Sequence, residues 1–505
     1  MSARARLWFA GILGFQTGLT LLLFRAHGGA LIDDAYISFR YATRLAAGQG
    51  LTWNPGVAVE GFSNPVWTLA LALVARLGAP PHATAFPLGL LLALVATAAV
   101  MAAARRLGLG PARSTLAGGL VAGDVGLATW AGSGLETGLT TALVALWLRE
   151  AGALRDPRRG LAQGLRLGIL GAVLALSRPE GVVWTGLGCA WLIWGVWAPR
   201  RLLVGWFLGA IPLLAAYQGF RLVYYGSLLP NTFFAKVEPG EAGLRNAVAT
   251  LGGWAAAHVV LLAVAALGAV LRRGRPAESS GIPPRFPWLL WGWLLAQAGF
   301  VLVAGGDWMG DSRYMAPTVP VLALAVVVSV RGLSIRPRLG WLAAILVTAQ
   351  FIWGWRAGDR IPTYTTAGRE VGVWLARVAD PGDRLAVTAA GAIPYFSGLW
   401  TYDVLGLNDP EVRGRRPQQS PGWAPGHNRY DLDRLLELAP EWIVWDFGVD
   451  ANRARMRALR GTGQKTAGLG FRRELLARDG FQARYRVETA APWESQNHYT
   501  VFRRR

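Results

Sequence analysis

The segment PVWTLALALVARL, residues 65–77, decides how this chain is threaded. It is apolar and about half a bilayer long at ~1.5 Å per helical residue. Counted as a span, it would reverse the side of every later loop and place Arg105 and Arg106 outside, against the positive-inside rule. The segment therefore reads as an interfacial or re-entrant helix. Such a helix is tolerated where protein covers its polar backbone ends.

With 65–77 set aside, eleven apolar runs remain: 7–25, 84–104, 113–130, 134–148, 162–176, 182–198, 201–224, 251–271, 287–304, 315–330 and 340–355. A hydrocarbon core of ~30 Å takes about 20 helical residues, so the shorter runs must tilt little or borrow flanking residues. Alternate gaps carry the arginines: Arg4 and Arg6, Arg105 to Arg113, Arg149 to Arg159, Arg200 and Arg201, Arg272 to Arg285, and Arg331 to Arg338. Those gaps are expected on the cytoplasmic side. The others hold Asp33–Asp34, Gly134–Leu135–Glu136, Arg178–Pro179–Glu180, Tyr224 to Lys236 and Asp307 to Arg313, and they face outward. One extracytoplasmic active site follows.

Composition agrees. The chain is 53% hydrophobic and 16% charged, and its 24 tryptophans can furnish interfacial belts. A net charge of +21 in a soluble protein would suggest nucleic acid. Here much of the excess lies in the cytoplasmic clusters, which orient spans and meet anionic headgroups, so no nucleic-acid partner is expected. The first run lacks a small-residue cleavage site and reads as a span, not a secretory signal. Cys189 is the single cysteine, which excludes an internal disulfide framework, and the five histidines show no ligand spacing, so no zinc site is expected.

After residue 356 the composition changes, and charged residues become regular. Strand-like stretches occur at 384–390, 441–446 and 498–503, with helical patterns near 366–378 and 431–438. The expected division is a membrane domain, 1–356, with an outer loop at 27–83, and an extracytoplasmic α/β domain, 357–505.

The outer loop carries the densest chemistry. Asp33 and Asp34 follow the first span, where an ionised pair is costly without a purpose. One is expected to face the reaction centre while the other caps a helix starting near Ala35; the plain alternative makes both helix-start residues. Tyr36, Arg40, Glu60, Asn64 and Trp67 surround them in sequence and favour the first reading.

DDAYISFRYATRLAAGQGLTWNPG at 33–56 and VEGFSNPVWT at 59–68 resemble the signature of GT-C fold glycosyltransferases of the actinobacterial cell-wall terminal β-(1→2)-arabinofuranosyltransferase family. The likeness continues through GSGLETGL at 132–139, SRPEG at 177–181, YYGSLLPNTFFAK at 224–236 and GGDWMGDSRYMAPTVP at 305–320. In the outer domain it takes in AGAIPYFSG at 390–398, LGLND at 405–409 and PGH at 425–427. It implies an α-helical polytopic protein of about eleven transmembrane helices plus interfacial helices in a bacterial cytoplasmic membrane. The implied reaction moves a sugar, arabinofuranose first, from a polyprenyl-phosphate donor to a cell-envelope glycan. The alternative it implies is a GT-C transferase that moves another lipid-linked sugar, such as mannose, to a protein or lipid acceptor.

That reaction needs a base for the acceptor hydroxyl and cations or N–H donors for the leaving phosphate. The resemblance places the catalytic carboxylate in Asp33–Asp34, with Asp33 favoured as base because it lies nearer the membrane. Arg40, Arg178, Lys236 and Arg313 are the outward cations within motifs and the candidates for phosphate; Arg178 and Arg313 are also placed to snorkel at helix ends. Candidate sugar or acceptor residues are Tyr36, Glu60, Asn64, Trp67, Glu136, Glu180, Asn231, Asp307, Trp308, Asn408, Asp409 and His427. Several have a plainer role as well, Glu136 as a helix-start acid, Asn231 and Asn408–Asp409 as turns, His427 as a surface residue, the tryptophans as interface anchors. No cofactor is required; a divalent cation on Asp34, Asp307 or Asp311 is the option the acids leave. A monomer is expected. A secondary transporter would show paired halves with ionisable residues in mid-span, and Asp124 alone answers to that description.

Overall fold

The computed structural model describes residues 3–154, 160–236, 241–270, 282–283, 285–307, 309, 313–331, 349, 364–415, 429–446, 471–492 and 494–505. The first ten apolar runs are helical, and run 340–355 lies outside the described residues, 349 apart. Among the described residues, four helices are long and apolar enough to cross a membrane: α1 (Ala3–Ala26) from Arg6, α4 (Pro81–Arg106), α10 (Arg200–Tyr225) and α14 (Phe286–Ala304). The pair α12 (Glu241–Ala257) and α13 (Val259–Val270) joins them if its 77° bend counts as one span. The remaining runs are shorter than expected. α7 (Thr137–Ala151) and α8 (Leu161–Ala175) have 15 residues each, or about 22 Å. Run 113–130 breaks at Gly123–Asp124 into α5 (Pro111–Ala122) and α6 (Val125–Ala131), because the Asp124 carboxylate accepts the Leu127 amide and starts a new helix. Hydropathy alone cannot see such a break.

The disputed segment forms α3 (Pro65–Arg76), an apolar helix of 12 residues packed on α2 (Asp33–Ala46). It starts with proline in its first turn, where no intrahelical amide is lost. α8 and α10 pack backbone against backbone. Gly164 and Gly168 on one helix and Gly205 and Gly209 on the other meet the partner backbone so closely that an added Cβ would stand 2.0–2.4 Å from a carbonyl oxygen. Small residues four apart on both helices are what permits that approach.

Beyond the membrane region lies a five-stranded sheet, β1 (Arg384–Val387), β2 (Trp400–Asp403), β3 (Trp442–Asp446), β4 (Tyr485–Val487) and β5 (Tyr499–Arg504), in the order β2-β1-β3-β5-β4. The first three strands run parallel and β5 and β4 close the sheet antiparallel. Helix α16 (Tyr364–Val378) covers one face. On that face the domain and the outer loop share one core: Ile37, Tyr41, Trp53 and Phe62 pack in one cluster with Val371, Leu385, Ile393 and Tyr499. The outer loop and the sheet domain are therefore one packed body, and burial of those aromatics fixes the sheet's edge over α2.

Candidate functional site

Helix α2 begins at Asp33, two residues before the expected start, with Ile32 at the N-cap and no side-chain cap. Neither aspartate caps it; both lie in its first turn, where the helix dipole favours acids. Their side chains part company. Asp33 is 3% exposed, and its two oxygens accept the amides of Gly391 at 2.9 Å and Ala392 at 2.8 Å, which open the outer-domain helix α17 (Ala392–Ser397). Only glycine fits at 391, since a Cβ there would come within 2.0 Å of the Asp33 carbonyl oxygen. Burial raises the Asp33 pKa to about 7 from an ordinary 3.8, and the Asp34 charge adds to this against the two amides.

A pH dependence follows. Because the folded pKa is raised, the native state holds a proton that the unfolded chain releases near its ordinary pKa. The resulting stability is fully present below about pH 4 and is lost as pH rises through about 7. Three units correspond to a ceiling on the order of 4 kcal/mol. Buried Asp403, raised to about 6 by desolvation, adds a change of the same sign at lower pH. Thermal unfolding in detergent should therefore show a midpoint falling between pH 5 and 8, and Asp33→Asn should flatten the upper part of that fall. An unchanged slope in the variant would refute the assignment.

Asp34 is the accessible member, its side chain 21% exposed. Lys236 Nζ and Arg313 Nη1 each stand 3.9 Å from its Oδ2. Lys236 ends the short helix α11 (Asn231–Lys236) with its side chain 35% exposed. Arg313 is buried and forks onto Asp307, Nε to Oδ2 at 3.0 Å and Nη2 to Oδ1 at 3.2 Å, while its guanidinium lies over Tyr314 and Trp130. Burial would depress its pKa, but Asp307, Tyr314 and Asp34 together raise it, so it is a fixed cation. An acid between two cations is a poor seat for a divalent ion, and among the described residues no group of three metal-ligating side chains occurs. Asp311, Trp308 and His427 lie outside the described residues.

A second polar group backs this one. Arg178 is buried, with Nε 2.7 Å from Glu180 Oε1, Nη1 3.5 Å from Glu136 Oε1 and its guanidinium over Tyr314. Asn64 Nδ2 donates to Glu136 Oε2 at 2.7 Å, and Asn64 Oδ1 accepts from Ser38 and Thr68. Tyr314 thus lies against both arginines, joining the two clusters.

Other candidates are placed elsewhere. Arg40 is buried beneath the C-terminal domain, donating to Trp53 O, Asn54 Oδ1 and Leu399 O, and it stacks on Trp53. Such a clamp leaves little of it for phosphate. Glu60 is bound by Arg221, Nε to Oε2 at 2.6 Å and Nη2 to Oε1 at 3.1 Å, and by the Tyr217 hydroxyl at 2.7 Å. Asn231 Nδ2 reaches the carbonyls of Gly406, Leu407 and Asp409. Asn408 bridges the Tyr41 hydroxyl and Asp403, and Asp409 caps the turn at Glu411 and ion-pairs with Arg415. Arg40, Asn231 and Asn408 thus tie the loop and α11 to the C-terminal domain, Glu60 ties the loop to α10, and the Asp409 side chain stays within its own domain. Trp67 is buried, its indole on Gly134 O at 3.0 Å, and Tyr36 packs edge-on against Phe39 and Tyr395. Neither offers an open stacking face.

Asp124 also has a partner, His258 Nε2 at 2.8 Å, where the break in one span meets the bend between α12 and α13. Sequence reading missed Arg221, Tyr217, Tyr314 and Tyr364. Burial pushes the Tyr364 pKa well up, and the charges of Asp33, Asp34 and Asp446 add to it. Tyr314 was signalled only by adjacency to Arg313.

Fold comparison decides what this arrangement belongs to. ArnT from Cupriavidus metallidurans, solved bound to undecaprenyl phosphate, superposes with a TM-score of 0.63 at 12% identity over 97% of this chain and 98% of that one. The chain has the GT-C fold. Two curated relatives carry the name terminal beta-(1->2)-arabinofuranosyltransferase: that of Mycobacterium tuberculosis, 29% identical over 58% of this chain and 51% of its own length, and that of Corynebacterium glutamicum, 28% identical over 68% and 53%. The resemblance expected from the motifs is borne out. The chain spans about half the length of these relatives. Residues 357–502 match a family described as "Domain of unknown function (DUF8728)". A multi-pass membrane protein is the shared architecture of this GT-C fold.

Proposed function

We propose that this GT-C protein transfers a sugar, arabinofuranose first, from a polyprenyl-phosphate donor to a cell-envelope glycan, with Asp34 as the base. The observation that carries the reading is the accessible Asp34 carboxylate, flanked by Lys236 and Arg313 at the seam between membrane bundle and outer sheet. Asp33 was the favoured base from sequence; its oxygens are occupied by two amides, which leaves Asp34 to act. An acceptor hydroxyl loses its proton to Asp34 as its oxygen bonds the anomeric carbon. The anomeric C–O bond to phosphate breaks, its electron pair stays on the polyprenyl phosphate, and Lys236 and Arg313 meet that charge. Arg178 orders Glu136 and Glu180 behind the site as a candidate sugar-binding wall. The lipid carrier is supported by the undecaprenyl phosphate named for the ArnT structure.

The deciding experiment is a radiolabelled transfer assay with a panel of polyprenyl-phosphate sugars. Arabinofuranose transfer is expected; exclusive mannose transfer would move the assignment to another GT-C specificity, and no transfer from any of them would overturn it.

On this reading the site lies on the outer side of the cytoplasmic membrane, with residues 27–62 and 357–505 both extracytoplasmic. In a Cys189→Ser background, single cysteines introduced in either region should react with an impermeant thiol reagent in intact cells. Protection of either region, while detergent-opened controls label, would reverse the threading.

A further inference from the structure

The end of α4 remote from the outer loop carries a group of charges that the transfer steps above leave unused. There α4 and α7 finish while α8 and α10 start, and Glu150, in the last turn of α7, lies among them with its side chain 9% exposed. Gln163 of α8 donates to the Glu150 carbonyl at 3.0 Å, and a Cβ at Gly160 would meet the side chain of Arg201, at the start of α10. Three arginines converge on the Glu150 carboxylate. Arg106 Nη1 stands 2.9 Å and Arg149 Nη1 3.5 Å from Oε1, and Arg166 Nε stands 3.7 Å from Oε2. Arg106 Nη1 also donates to the Arg149 carbonyl at 3.1 Å, which ties the ends of α4 and α7 together. Among the described residues, three guanidiniums thus crowd one carboxylate and leave an excess of positive charge. Side-chain exposure rises from 29% for Arg106 to 58% for Arg166, so the excess is presented at the surface. Beside it the surface is apolar. Leu165 and Ile169 are exposed and, four apart on α8, share the face that Arg166 borders. In a multi-pass membrane protein such a face meets acyl chains.

We propose that the corner formed by Arg106, Arg149 and Arg166 binds the phosphate of an anionic membrane lipid, whose chains lie along Leu165 and Ile169. A guanidinium fork suits a phosphate because two N–H groups can meet two of its oxygens. A phosphate held there also relieves the repulsion among cations that one carboxylate only partly offsets. Basic pockets between spans are where such headgroups dock. A zwitterionic lipid brings its own cation to the same place and is the weaker ligand. The corner lies at the opposite end of α4 from the outer loop, so its occupancy does not depend on which sugar the protein moves.

The test uses the full chain in detergent, with phosphatidylglycerol and phosphatidylcholine of the same chain length as probes. Bound lipid is read by native mass spectrometry and by thermal unfolding. Phosphatidylglycerol should bind wild type about ten-fold more tightly than phosphatidylcholine and raise its unfolding midpoint. Arg149→Gln with Arg166→Gln removes two cations and leaves Glu150 its nearest partner, Arg106. It should weaken phosphatidylglycerol about ten- to thirty-fold, the weight of two cations at an anionic headgroup, and leave phosphatidylcholine unchanged. Arg166→Gln alone should give about a five-fold loss and serves if the double variant does not fold. Arg245→Gln with Arg377→Gln removes the same charge from exposed positions elsewhere and should bind as wild type does. Equal affinity of wild type for the two lipids, wild-type affinity in the corner variants, or an equal loss in the charge-matched control overturns the inference. Protection of wild type by inorganic phosphate at the lipid's concentration overturns it too, and makes the corner a site for a soluble anion.

Discussion

Asp34→Asn should abolish transfer while leaving the protein folded. Removing a general base typically lowers the rate ~10²–10⁴-fold. The side chain is partly exposed and touches no closer partner among the described residues than two cations at 3.9 Å, so little packing depends on it. Asp33→Asn should behave in the opposite way. An asparagine has one acceptor oxygen where two buried amides need two, and its NH2 would confront the other N–H. Leaving a buried donor unmatched costs about 1–3 kcal/mol. Thermal unfolding of the two variants beside their turnover separates the roles. Wild-type turnover in Asp34→Asn would remove it from the chemistry, and a stability loss confined to that variant would exchange the two assignments.

How much of this was legible in the sequence depended on the kind of force at work. Hydropathy found the helices of the bundle, because burial in hydrocarbon acts on composition; 65–77 was set aside by the charge rule, and it forms a helix of 12 residues. Hydropathy could not see the break at Asp124, which a local cap on the Leu127 amide makes, or the bend at His258, whose ring meets Asp124 from another helix. The strands β1, β3 and β5 were visible as β-like stretches; β2 and β4, WTYD and YRV, mix aromatic with polar residues and offer no apolar run. Motif likeness located Asp33 and Asp34 but could not sort them. Which carboxylate is free is set by amides more than 350 positions away. Arg40, Glu60 and Asn231 looked like site residues for a related reason. A charged or amide side chain in an outward motif reads alike whether it meets substrate or seals a joint, and only the partner decides. Arg221, which binds Glu60, lies inside an apolar run where a basic residue near the end reads as an anchor.

Arg313 is where structure and chemistry pull on one side chain, and a pair of variants separates them. Arg313→Ala deletes the cation facing Asp34 and also leaves Asp307 buried without its fork. Breaking a buried pair from one side costs about 3–5 kcal/mol, because the surviving charge is stranded. Low activity in that variant alone would therefore be ambiguous. The double variant Arg313→Ala with Asp307→Asn removes the stranded charge, and the asparagine oxygen can still accept the Met309 amide that Asp307 now holds at 3.1 Å. Thermal stability should return most of the way to wild type in the double variant. Transfer should not: a preorganised cation lost from a developing phosphate charge lowers turnover ~10²–10³-fold. Activity that recovers together with stability would mean that Arg313 serves only to hold Asp307, and that Lys236 alone meets the leaving phosphate.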